Sequence, residues 1–185
     1  MNPIKLMKKK EIALRRLSPE FRKQVVLRVP CSALLGNHFH KGHFTRYDLF
    51  LRYLTIQSIN NGENTYKEAY CRMQNLRTGC HDYQKVADLV QSFSQNGFSC
   101  NFPIPVTRFG MILDGAHRFA SSLYFKIKEI PVIIKSPVKR VLYTREWFET
   151  NGFDNDILLQ MDQIKERLFE ENDVRKPTST QPLHT

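Results

Sequence analysis

Between Met111 and Phe125 the chain reads Met-Ile-Leu-Asp-Gly-Ala-His-Arg-Phe-Ala-Ser-Ser-Leu-Tyr-Phe, and its centre carries the residue types that bind phosphate. Arg118 offers a planar fork of donors matched to phosphate oxygens. His117 can give or take a proton near neutral pH. Gly115 permits a sharp turn and a close backbone approach. Asp114 is a side chain able to cap a helix. His117 and Arg118 fall where a first helical turn would start, and cations are unfavourable there unless something negative binds beside them. Asp114-Gly115-Ala116-His117-Arg118 therefore predicts a phosphate-binding corner.

The flanks supply what would position it. Met111, Ile112 and Leu113 are enough for a short buried strand, and Asp114-Gly115 breaks the run. Ala116, Phe119, Ala120, Leu123 and Tyr124 then recur at helical spacing. A strand, a tight turn and a helix leave the first helical amides without partners and pointing outward, where anions collect. A second concentration of chemistry is Asn37-His-Phe-His-Lys-Gly-His-Phe44, with Cys31 nearby. His38, His40 and His43 lack a carboxylate within the run, and their spacing matches no strong metal pattern. No metal site is expected there; the run reads as a surface loop or one facing the phosphate corner.

Asp114 to Arg118 resembles the phosphate-binding signature of the ParB/sulfiredoxin-like superfamily. Leu89–Gly97 is similar to its preceding helix, Pro103–Val106 to its next strand, and Ile127–Ile134 to its closing strand. The likeness runs from about Val25 to Ile134, with a poorly matching segment between Gly36 and Tyr83. It implies an α+β fold, with a single ParB/sulfiredoxin-like domain built on a small mixed sheet flanked by helices. It also implies a nucleotide, ATP or another nucleoside di- or triphosphate, with its phosphates on Asp114, Gly115, Ala116, His117 and Arg118, and Mg²⁺ alongside. Sulfiredoxin chemistry needs a cysteine where this chain has Ala116, which excludes it. A partition ParB is disfavoured because no helix-turn-helix follows the motif.

Two activities survive. The first is an ATP- or ADP-dependent phosphotransferase or nucleotide hydrolase, similar to the superfamily's free-serine kinases, acting on an unknown small-molecule acceptor. Asp114 and His117 would be its catalytic residues: His117 bonding the transferring group, Asp114 helping to hold Mg²⁺ or to place the nucleophile. Those kinases carry a glutamate just after the first strand, whereas this chain has no acid from Leu34 until Asp48. That leaves His38 or His40 as candidate base. The alternative is a DNA-associated nuclease or an inhibitor of plasmid transfer.

Composition sets the frame for both. The 185 residues, 41% hydrophobic and 25% charged, suit one globular domain. The apolar runs are too short to cross a bilayer. The start has no secretory signal, and four cysteines without CxxC spacing read as reduced thiols, so a cytoplasmic setting is expected. The net charge is +10, but residues 1–28 hold nine basic against two acidic side chains, which is +7 of it. That stretch can meet nonspecific DNA or an acidic partner, while the rest is only mildly basic.

The expected organisation is a basic arm or helix at 1–24 and a domain at 25–171. That domain has a helical insertion at about 44–79, where substrate choice would lie, and a C-terminal helical extension at about 144–171. A disordered tail follows at 172–185. The aromatic stripes of the insertion, Tyr47 with Phe50 and Tyr66 with Tyr70, read as core.

Overall fold

In this computed structural model the residues described are 26–40, 42–79, 83–99, 101–136 and 142–174. In chain order they form β1 (Val26–Pro30), α1 (Cys31–Gly36), β2 (Phe39–His40), β3 (His43–Phe44), α2 (Asp48–Asn60), α3 (Lys67–Thr78), α4 (Tyr83–Asn96), β4 (Ile104–Val106), α5 (Ala116–Tyr124), β5 (Glu129–Ile134), α6 (Arg145–Thr150) and α7 (Asn155–Glu171). The class is α+β, as expected: seven helices, a three-stranded mixed sheet and a two-stranded ribbon among the described residues. The basic arm at 1–24, Val25 and residues 175–185 of the expected tail lie outside them.

β5 is central, antiparallel to β1 and parallel to β4. Its Ile130 and Val132 are fully buried, as suits a strand covered by helices. β4 and β5 run parallel, so the link between them has to cross over, and α5 lies in that link. The expected strand at Met111–Leu113 shrinks to one bridge, Ile112 opposite Val106. Thr107 N donates to Met111 O (2.8 Å) and Leu113 N to Pro105 O (2.9 Å), which fixes the return of the chain toward the corner.

α2 and α3 fill the segment that the resemblance leaves unmatched, but α2 is no surface addition. Leu49, Phe50, Leu51 and Ile56 are fully buried, and Leu54 nearly so. A helix apolar on all sides belongs inside a core, and α2 packs against α3, α4, α5 and α7. Phe50 meets Phe44 in a stacked pair at 5.1 Å and Phe169 of α7 at 6.2 Å. Small residues on α5, Ala120 and Ser121, are buried at 0%, as a close approach of helices requires.

At the C-terminal end, Thr144 caps α6 by accepting from Trp147 N at 3.3 Å. Asp154 stands at the N-cap of α7 without a side-chain bond. The first residues assigned to the tail are ordered: Val174 N donates to Phe169 O at 2.9 Å, and its side chain packs on the core. No helix among the described residues is long and apolar enough to cross a membrane.

Candidate functional site

Gly115 is the N-cap of α5, with φ 80° and ψ 25°. That left-handed backbone suits glycine, and a β-carbon there would sit 3.0 Å from Arg118 Nη2. The Arg118 side chain thus folds back across the bare face of Gly115 and donates to the Phe102 carbonyl. The first helical bond is Phe119 N to Gly115 O (2.9 Å), so the amides before it have no intrahelical acceptor. Arg118 and the start of α5 are therefore together, as the sequence predicts.

Asp114 differs from expectation. It is exposed and α5 has no side-chain cap, because the left-handed Gly115 takes the cap position and carries nothing to cap with. Its carboxylate remains at the turn, one residue before the cap.

His117 points into a group of residues that sequence reasoning did not single out. Its Nε2 meets Tyr70 Oη at 2.7 Å and Arg52 Nη1. A guanidinium can only donate, so Nε2 must accept and the ring proton sits on Nδ1. Burial, then the charge of Arg77, push the His117 ring down to about 4, against the opposing pull of Asp48. The imidazole is neutral at pH 7. It is a hydrogen-bond donor through Nδ1 and a poor proton acceptor at Nε2.

Behind it lies Asp48, fully buried at the start of α2. Arg46 grips both its oxygens, at 2.8 and 3.1 Å, and donates to Ile112 O at 3.1 Å. Arg46 thereby ties the start of α2 to the segment that feeds the corner. Arg52 and Arg77 also reach Asp48, at 3.4 and 3.3 Å. Burial would raise the Asp48 carboxyl, but Arg46, helped by Arg77 and His38, outweighs it and holds the group below the usual carboxylate range. Gln74 Oε1 accepts from Arg52 Nη2 at 2.8 Å and from Arg77 Nη1 at 3.2 Å. Tyr70 is buried with its stripe, yet its hydroxyl belongs to this network. Asp48 and Arg52, with Arg46 just before α2, were the available signal: charges in an otherwise apolar stretch demand partners.

The histidine run does not converge on one point. His38 is buried against Phe44, with ring centroids 6.2 Å apart. His40 and His43 face each other across the β2–β3 ribbon and line a separate groove of about 540 Å³ with Phe39, Tyr47 and Phe169. No group of three His, Cys, Asp or Glu placed to hold a metal occurs among the described residues.

The molecule is thus an α+β protein with a cationic corner joined through His117 to a buried arginine–aspartate network. No protein-family model, curated protein or solved structure matches the chain.

The His117 titration has a consequence for stability. The ring stands at about 4 in the folded chain and at its ordinary 6.5 when free. Between those values the unfolded chain binds more protons, so stability rises with pH. The contribution is complete above pH 6.5 and lost as pH falls to about 4. It amounts to about 3 kcal/mol. Urea midpoints at pH 7 and 4.5 should therefore differ less in His117→Gln than in wild type; equal differences would place His117 in contact with water.

Proposed function

We propose that the chain is a nucleotide-binding protein of ParB/sulfiredoxin-like type, an ATP- or ADP-dependent small-molecule phosphotransferase or nucleotide hydrolase. The observation that carries the reading is the corner itself, where Arg118 lies folded over Gly115 at the open amides of α5. Phosphoryl transfer is mostly placement and neutralisation of charge. The amides and Arg118 hold the phosphates, and His117 donates from Nδ1 to a phosphoryl oxygen. Asp48 is committed to guanidinium groups, which leaves Asp114 as the corner's free carboxylate. Asp114 would help to hold the Mg²⁺ that accompanies a nucleotide, and the ion would neutralise charge on the phosphates. Neither His117 nor Asp48 is suited to take the acceptor's proton.

Arg118→Ala should weaken nucleotide binding by about 1.5–3 kcal/mol, roughly ten- to a hundredfold. Calorimetry with ATP, ADP and CTP on both proteins measures it. A folded wild type that binds none of them sinks the proposal. The DNA-associated alternative draws on the charge of residues 1–28. Cleavage of DNA, lost both on removal of that arm and in Arg118→Ala, would favour it.

A further inference from the structure

Asp48 faces more cations than it can neutralise. Arg46 takes both of its oxygens and cancels its charge. Arg52 and Arg77 then reach it only through single, longer contacts of 3.4 and 3.3 Å. Their other partners are neutral: Gln74 Oε1 for both, His117 Nε2 for Arg52, and the Tyr143 ring 4.2 Å from Arg77. Arg77 Nε is buried without a hydrogen-bond partner among the described residues. Arg52 is only 2% exposed, and the Arg77 side chain 15%, so solvent does little to screen them. Among the described residues, three guanidinium groups around one carboxylate leave two positive charges over. Buried charge without a counter-ion is costly, and an anion would remove that cost.

We infer that Arg52, Arg77 and His117 form a second anion subsite, beside the Arg118 corner, for a phosphoryl group carrying two negative charges. Guanidinium forks suit its oxygens, and the charge it brings equals the surplus. Arg77, the more exposed of the two arginines, forms the side open to a solute. The source of the group rests on the proposed function. It is either the terminal phosphate of a nucleotide whose inner phosphates sit at Arg118, or the phosphate of a separate molecule.

The test titrates inorganic phosphate, AMP, ADP and ATP by calorimetry, at constant ionic strength, into wild type, Arg77→Gln and Arg118→Ala, with folding checked by circular dichroism. Arg77→Gln should weaken phosphate binding about tenfold or more, and Arg118→Ala should retain a phosphate site. Loss of ATP affinity in Arg77→Gln with AMP unchanged assigns the group to the nucleotide. Loss of phosphate binding with all nucleotides unchanged assigns it to a separate phosphorylated molecule. A folded wild type that binds no phosphate, or binding that Arg77→Gln leaves alone, overturns the subsite.

Should Arg77→Gln not fold, the wild-type His117 ring decides by NMR. Asp48, Arg52, Arg77 and Tyr70 surround it, and phosphate beside it must raise its titration midpoint; an unmoved midpoint overturns the inference. Arg77-dependent phosphate binding without nucleotide binding would leave the subsite standing and remove the proposed enzyme.

Discussion

Asp48→Ala should cost about 3–5 kcal/mol, because it leaves buried guanidinium groups without their carboxylate. Arg46 and Arg52 are 8% and 2% exposed, so water cannot take over from Asp48. The loss should spread to the corner, since Arg46 holds Ile112 O as well as Asp48. For a chain of this size the melting temperature should drop by about 6–20 °C. Thermal unfolding of the variant at pH 7 provides the measurement. A drop within about 2 °C would mean that the arginines are solvated and the network contributes little.

Phe50→Ala should be as damaging, at about 3–5 kcal/mol, from lost apolar contact and the cavity left behind. Phe50 is fully buried and joins Phe44 of the ribbon to Phe169 of α7 through α2. The substitution separates two pictures of residues 44–79. An appended helical pair would lose little from one truncated side chain, whereas a helix at the centre of the core loses much. Urea denaturation decides it, and a change below about 1 kcal/mol would make α2 peripheral.

The sequence by itself determined most of the elements and the local form of the corner. Period 3.6 marks α3, α4, α5 and α7 because each buries a face, an apolar run marks α2, and β-branched runs mark β1 and β5. Gly115 and Arg118 meet because they lie within one turn of chain, so their geometry is set locally. The same local logic failed for Asp114: a capping type stood one residue too early once Gly115 took the left-handed position. What only the tertiary structure decided is the company that His117 keeps. Arg46, Asp48, Arg52, Tyr70, Gln74 and Arg77 lie 40 to 71 residues before it, and no periodicity links them to it. Packing α2 against both α3 and α5 brings them together. In the sequence Tyr70 is part of an apolar stripe and Arg52 is one charge on a hydrophobic helix. Burial makes them polar partners, because a charge withdrawn from water must find its hydrogen bonds inside the protein.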